Sequence, residues 1–521
     1  MTPEPGGRAA TAPWLIAATV MLPTFMEVLD TSVANVALPH IAGNLAASTD
    51  ESTWVLTSYL VSNAIVLPAT AWLGGLFGRK RFFLACIVVF TLASALAGAA
   101  MSLGALIVAR VLQGAGGGAL QPISQAILFE SFPPERRGSA MAVFGVGVVA
   151  APILGPTLGG WITDNFTWRW IFYINLPVGV AAILMVRAFI EDPPYVRRRA
   201  PRRIDWAGLG LLALWLGALQ IMLDRGQQED WLDSRRIQAL AVLAVGGLVA
   251  FVVREWTTRD PIVDLRVLRD RNFAGGAALI LVVGFVLYAT VALLPLFLQT
   301  LLNYPALESG YATSPRGLGA IVGMLVAGRL VGRLDTRWLI TTGFVLLALS
   351  VHMLGNLTLD ITIASVAWPQ VLSGLALGFI FVPLSTASLG TLPTEEIGNA
   401  TGIYNLMRNV GGSIGISVVT TLLARHAQAH QAMLAQHVSP YDAETAQRLR
   451  EMESVLAPRV GPQAAPQAAQ AALYALVVRQ AMLLAFVDNF RLMAVLVLCC
   501  VPIVWLLRRT DRPATEPLAA H

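Results

Sequence analysis

Apolar residues do not alternate along this chain; they run. Stretches of about 17 to 28 residues with few charges recur from one end to the other, separated by short turns. A helix needs about 20 residues to cross roughly 30 Å of hydrocarbon, so each stretch is long enough to span a membrane. The pattern predicts helices at 14–38, 54–76, 82–100, 105–128, 140–162, 170–190, 206–223, 237–253, 274–299, 310–330, 338–357, 362–389, 398–423 and 486–507. The expected fold is all-α and polytopic, with fourteen transmembrane spans. Residues 425–484 break the pattern: they are Ala/Gln-rich and predict an outer loop. Within that loop Ser439 before Pro440 reads as a helix start, with Leu449, Met452 and Leu456 along one face.

Composition agrees with the pattern, since 56% of the chain is hydrophobic and only 13% charged. The net charge of +5 comes from arginine, with Lys80 the sole lysine. These cations sit in short turns between spans, which excludes a nucleic-acid-binding surface. If both termini are cytoplasmic, the termini and alternate turns hold 23 Lys and Arg against 4 in the short outer turns, the bias that fixes orientation. Trp14, Trp54, Trp168, Trp170, Trp206, Trp256, Trp338 and Trp505 fall near span ends, where an interfacial belt would place them. Cys86, Cys499 and Cys500 lie in apolar runs and read as small buried hydrophobes. The first span is long, acidic and lacks a small-residue cleavage site, so it reads as retained.

One internal repeat is visible. "RVLQGAGGGALQPIS" from Arg110 matches "QVLSGLALGFIFVPLS" from Gln370, and "FPPERRGSAMAVF" from Phe132 matches "LPTEEIGNATGIY" from Leu392, both at an offset of 260. A parallel duplication is a common architecture of secondary transporters, with the substrate cavity between the halves. The spans at 206–223 and 237–253 have no counterpart. The expected organisation is a six-helix bundle in 1–200, an inserted pair in 201–260, and a second six-helix bundle in 261–521 carrying the periplasmic loop 425–484.

"LDTSVANVALP" in the first span, "AWLGGLFGRKR" after the second, "RVLQGAGGGA" in the fourth, "GVVAAPILGPTLGG" in the fifth and "WRWIFYINLPVG" entering the sixth resemble the 14-helix drug:proton antiporters of the major facilitator superfamily, most closely the EmrB type. The resemblance covers nearly the whole chain. It implies proton-driven efflux of small hydrophobic drugs across the bacterial inner membrane, a periplasmic membrane-fusion adaptor with an outer-membrane channel, and no cofactor. By the same resemblance Gly155, Pro156, Gly159 and Gly160 belong to the antiporter signature of the fifth span, and Gly78-Arg79 to the turn after the second. That turn departs from the family pattern: Gly75 stands where an Asp is usual, so no gating ion pair can form through it. The corresponding later turn, "GRLVGRLDTR", keeps Asp335.

Glu27 and Asp30 are the anomaly in the first span. A charge near the centre of a membrane helix costs at least about 2.5 to 3.5 kcal/mol, so such groups face protein or pair. Counting at 1.5 Å per residue puts Glu27 about 2 Å and Asp30 about 6 Å outward of the midplane, with Arg110 at about 9 Å and Gln113 at about 4 to 5 Å in the fourth span. An arginine near an acid, and burial of that acid, act oppositely on its ionisation, so a movement altering either can load or release a proton. Asp30, Glu27 and Arg110 are thus the proton-coupling candidates. A packing role for Asp30 through Thr31 and Asn35 is the alternative, and Glu27 equally suits a cation site or packing. Tyr59, Asn63, Gln113, Gln121, Tyr288, Gln299, Tyr404, Asn405 and Arg408 are candidate drug contacts, and Arg316 is a further cation needing a partner.

The pentapeptide "GGSIG" at 411–415 fits a hydrolase elbow but lies inside an apolar span, so it reads as packing. No Walker A lysine and no metal-ligand cluster is present; the chain is not expected to be an enzyme. Beside antiport stand two other readings, a proton-coupled uptake symporter and an uncoupled channel or receptor-like membrane protein.

Overall fold

A computed structural model describes residues 12–193, 205–439 and 441–509, without the side chains of 49, 50, 153, 156, 306 and 307. Arg8, the arginines from Arg197 to Arg203, Arg512, Pro440 and the side chain of Pro156 therefore lie outside the described residues. The elements are α1 (Pro13–Asn44), α2 (Trp54–Phe77), α3 (Arg79–Ala99), α4 (Leu103–Ser131), α5 (Arg137–Asn165), α6 (Trp170–Phe189), α7 (Trp206–Arg225), α8 (Arg235–Thr257) and α9 (Arg271–Leu301). They continue with α10, made of Ala306–Thr313 and Pro315–Leu330, then α11 (Thr336–Leu354), α12 (Ile363–Leu389), α13 (Ile397–Ala435), α14 (Ala443–Val460) and α15 (Ala465–Cys499).

All fourteen expected spans are helical. Among the described residues thirteen helices are individually long and apolar enough to cross a membrane; α10 falls short because Pro315, which has no N–H, interrupts its hydrogen-bond ladder. α4 breaks between Gly117 and Leu120, where "GAGGGA" gives the helix little intrinsic support. Several N-termini are closed by side chains: Ser102, Asp205, Asp270, Asp335 and Asp442 each accept from a backbone N–H two or three residues on. At the turn from α2 to α3, Gly78 takes φ +88°, a conformation that disfavours any side chain.

The region expected as an outer loop is helical. α13 runs on to Ala435, α14 follows, and α15 begins at Ala465. Hydropathy marks only the apolar part of a helix, whereas the Ala-rich extensions are strong helix formers. Asp442, not Ser439, caps α14, through a 3.1 Å bond from the Thr445 N–H. Leu449, Met452 and Leu456 are half-buried on its inner face, and α14 packs on α15. The aromatic belt also needs correcting: Trp168 is 3% exposed inside the protein, and Trp54 is half-buried with the Arg225 guanidinium 5.1 Å from its ring.

Small residues set the crossings. Without a hydrophobic drive in lipid, helices associate where backbones can touch. Gly319 and Gly323 of α10 meet Gly374 and Gly378 of α12 so closely that a Cβ on Gly374 would lie 2.0 Å from the Arg316 carbonyl oxygen. Gly411 and Gly415 of α13 do the same against α9. In α5, Gly147 faces Met21, Gly155 faces Ser32 and Gly159 faces Val33, all on α1, while Gly160 faces open space and makes no close approach.

Two seams join the earlier helices to the later ones: α5 against α10 and α12, and α13 against α2 and α4. Both approach closely toward the arginine-rich end, where Gly138 meets Gly328, and Gly402 meets Leu67 and Pro68. Toward the other end, α7 bridges α2 and α13. Asp224 accepts from Thr57 of α2, and Arg225 donates to Thr53 at 2.9 Å. On the other side, Gln220 accepts from Ser413 at 2.9 Å and the Leu223 carbonyl accepts from Ser417 at 2.8 Å. Ser413, the centre of the "GGSIG" motif, is thus a helix-packing hydroxyl.

Candidate functional site

The first-span carboxylates are buried, Glu27 at 3% and Asp30 at 1% exposure, and each has its own set of donors. One turn of α1 separates them, and both face α4, Asp30 with α6 as its second neighbour and Glu27 with α2. Asp30 Oδ2 accepts from Arg110 Nη1 at 2.5 Å, while Oδ1 accepts from Gln113 Nε2 at 2.8 Å and Asn175 Nδ2 at 2.7 Å. Arg110 also donates from Nη1 to Gln113 Oε1 at 2.7 Å and from Nε to the Val55 carbonyl at 3.0 Å. Its guanidinium lies 4.2 Å from the Tyr59 ring centroid and 5.6 Å from that of Phe172, and Arg110 itself is 0% exposed. A buried pair holds together only if geometry is good and the remaining polar atoms are satisfied, and this one meets both conditions on the Asp30 side. Thr31, named with Asn35 for a packing role of Asp30, bonds the Val28 carbonyl at 2.8 Å.

Glu27 forms no ion pair among the described residues. Its Oε1 accepts from Tyr59 Oη at 3.0 Å and Asn63 Nδ2 at 3.1 Å, and its Oε2 from Gln121 Nε2 at 2.6 Å. The Gln121 carbonyl oxygen in turn accepts from Arg408 Nη2 of α13. One amide therefore joins the acid on α1 to a cation on the far side of a seam. One turn along, Gln125 Oε1 accepts from Asn405 Nδ2 at 2.7 Å, a second bond across the same seam. Tyr59 links the two clusters, with its hydroxyl on Glu27 and its ring beneath Arg110.

Of the residues singled out from sequence, Glu27, Asp30, Tyr59, Asn63, Arg110, Gln113, Gln121, Asn405 and Arg408 converge in these two clusters. Tyr404 is fully buried beside them with its hydroxyl unpartnered. Tyr288 is half-buried against Gly412 of α13. Gln299 is exposed at the far end of α9, apart from the site. Sequence reasoning missed Asn175, Ser94 and Gln125. Asn175 donates to both Asp30 and Ser94 Oγ, the latter at 3.0 Å, and stands in the quoted "FYINLP" without a periodic pattern to mark it. Gln125 was legible only as the residue one turn beyond Gln121.

At the arginine-rich end, Arg79 Nη1 contacts both Glu130 oxygens at 2.9 Å. The ion pair that Gly75 cannot make is thus made through the last turn of α4, within the earlier helices. Asp335 caps α11 and pairs with Arg509 at 3.0 Å, so it too holds a helix end. Beside the Asp30 cluster lies an apolar cavity of about 480 Å3 between α1, α5 and α6, lined by Phe25, Met26, Leu29, Trp161, Phe166 and Val178 among others, with Asn175 in its wall.

Comparison with known proteins gives the family: the family model of the Major Facilitator Superfamily matches residues 20–416. The chain belongs to the Major Facilitator Superfamily. Within it, the multidrug export protein EmrB of Haemophilus influenzae is 40% identical over 82% of this chain and 84% of its own length. The fatty acid resistance protein FarB of Neisseria gonorrhoeae is 40% identical over 85% of this chain and 88% of its own. These place the chain in the EmrB branch. The solved structure of the proton:xylose symporter XylE superposes with a TM-score of 0.62 over 96% of each chain at 12% identity, a likeness of fold alone. As a superfamily member the chain is a multi-pass transporter of the bacterial inner membrane and not an enzyme.

Proposed function

We propose that this chain exports hydrophobic or amphipathic drug-like molecules in exchange for protons by alternating access, with both termini in the cytoplasm. The carrying observation is the buried Asp30–Arg110 pair, completed by Gln113 and Asn175 and linked through Tyr59 to Glu27. Protonating Asp30 removes the counter-charge of a guanidinium that is 0% exposed, so the protonated site favours a different arrangement of α1, α4 and α6. Glu27, Gln121 and Arg408 carry that change to the other side of the seam, since Gln121 cannot follow α1 without stretching its bond to α13. Tyr59, Asn63, Gln121, Tyr404, Asn405 and Arg408, buried polar groups of α2, α4 and α13, serve as drug contacts. The names of the relatives, a multidrug export protein and a fatty acid resistance protein, support the export reading.

Residues 1–200 and 261–521 act as the two rocking bundles, with Gly155 and Gly159 holding α5 to α1 as one body. The inserted pair in 201–260 keeps the outer part of one seam bridged while the inner part opens. The outer helical extension docks a periplasmic adaptor leading to an outer-membrane channel; Tyr441, Val455 and Tyr474 there are 99%, 65% and 61% exposed. Dye movement in everted vesicles on imposing a proton gradient tests the whole: inward dye movement that Asp30→Asn abolishes is expected. Movement in the opposite direction would establish uptake instead.

A further inference from the structure

The later helices bury cations and no acids. Among the described residues the buried carboxylates are Glu27, Asp30 and Glu255, whereas Arg316 and Arg408 are 6% and 2% exposed. Arg408 donates to Gln121, but Arg316 forms no ion pair among the described residues, and its Nε and Nη2 have no hydrogen-bond partner. Leaving a guanidinium uncompensated inside a membrane protein is costly, so its retention calls for a counter-charge that the described residues do not supply.

Position and neighbours describe what that counter-charge meets. On α10 the exposed side is Leu318, Val322 and Leu325, whereas Arg316 lies on the opposite face with Ala320 and Gly323. That face packs on α12 and α5, not on lipid. The α12 backbone touches α10 at Arg316, through Gly374, and within one turn of that contact stand Gln370 and Ser373, each 1% exposed. Gln370 Nε2 and Ser373 Oγ are also unpartnered. Every orphaned atom here can donate a hydrogen bond, and three of the four can only donate. The internal repeat sharpens the contrast. Gln370 and Ser373 occupy the positions of Arg110 and Gln113 at the offset of 260, so the earlier site holds an arginine with its own aspartate and the later one an arginine with none.

We propose that Arg316, with Gln370 and Ser373, is the docking point for the anionic group of an amphipathic substrate, a carboxylate or a comparable delocalised acid. The assignment rests on the export reading for the word substrate, but binding tests it separately from coupling. The probe is parinaric acid against its methyl ester, the same hydrocarbon with and without the charge. Binding to protein in lipid nanodiscs at pH 8 is read by energy transfer from tryptophan and corrected for empty discs. The acid should bind at least about tenfold more tightly than the ester, the effect of one charge-assisted bond. Arg316→Gln should equalise the two, Arg316→Lys should keep part of the preference, and Arg333→Gln, at an exposed arginine of the turn after α10, should keep it all. Should Arg316→Gln fail to fold, Gln370→Leu, with the arginine intact, should still reduce the preference. Equal binding by the wild type, or an Arg316→Gln protein that is less stable but keeps the preference, would overturn the proposal. Asp30→Asn should lose proton coupling and retain the preference for the acid, so either reading can fail without the other.

Discussion

Asp30→Asn changes little in volume and a great deal in hydrogen bonding. The carboxylate now accepts three bonds, from Arg110, Gln113 and Asn175, and donates none. An amide in its place has one oxygen and one NH2. Whichever way it turns, the NH2 faces donors: Arg110 Nη1 in one orientation, the Gln113 and Asn175 amides in the other. Arg110 keeps its charge at 0% exposure without a counter-ion. Removing one partner of a buried pair costs about 3 to 5 kcal/mol, chiefly because the other charge is stranded. Arg110→Gln strands Asp30 in the same way. The double variant Asp30→Asn/Arg110→Gln strands neither, and two facing amides can bond each other. Its destabilisation should therefore fall short of the sum of the singles by about 2 to 3 kcal/mol. Denaturant unfolding in detergent, followed by tryptophan fluorescence, measures the cycle, and everted vesicles measure transport of the same three variants. All three should be inactive in proton-coupled efflux, including the double variant with its stability partly recovered. Additive destabilisation would show that the pair is not coupled as its geometry requires, and active transport by the double variant would remove both residues from the mechanism.

Other outcomes follow from single contacts. Gly114→Ala would bring a Cβ to 2.3 Å from the Tyr59 carbonyl and 2.1 Å from Ser62 Oγ, so it should cost about 1 to 3 kcal/mol and lower export through displacement of Tyr59; a melting curve with unchanged midpoint would count against the close crossing of α2 and α4. Gly160→Ala, in open space, should leave export and stability unaltered, whereas Gly155→Ala, with its Cβ 2.2 Å from Ser32 Oγ, should impair both; equal effects in the two would contradict the placement of α5 on α1. Gln121→Leu should disconnect Glu27 from Arg408 and reduce turnover more than drug affinity, measurable as the ratio of transport rate to binding constant. Replacing 441–461 with a flexible linker should spare dye movement in everted vesicles and abolish resistance in whole cells; full resistance would exclude adaptor docking by α14.

How much of this was legible follows from what hydropathy records. The spans, the two carboxylates and the depth match between Asp30 and Arg110 were readable, because helical rise is fixed and an acid in an apolar run stands out. Rotation of one helix against another was not. α1, α2 and α12 are apolar on nearly every face, so no periodicity says which side meets protein, and Asn175 and Gln125 could be placed only by structure. Arg79 illustrates the same limit: the sequence showed that residue 75 could not be its partner, but Glu130, at the end of another helix, carried no mark of being close. In the outer region the apolar face of α14 was readable, but the extensions of α13 to Ala435 and of α15 back to Ala465 were missed, since polar Ala-rich helix and polar loop have nearly the same hydropathy.

The most direct test of the central claim is proton release on drug binding by purified protein in a weakly buffered detergent solution. Wild-type protein should acidify the medium when a transported drug is added, and Asp30→Asn protein that still binds the drug should not. Equal acidification by both would contradict an exchange that runs through Asp30.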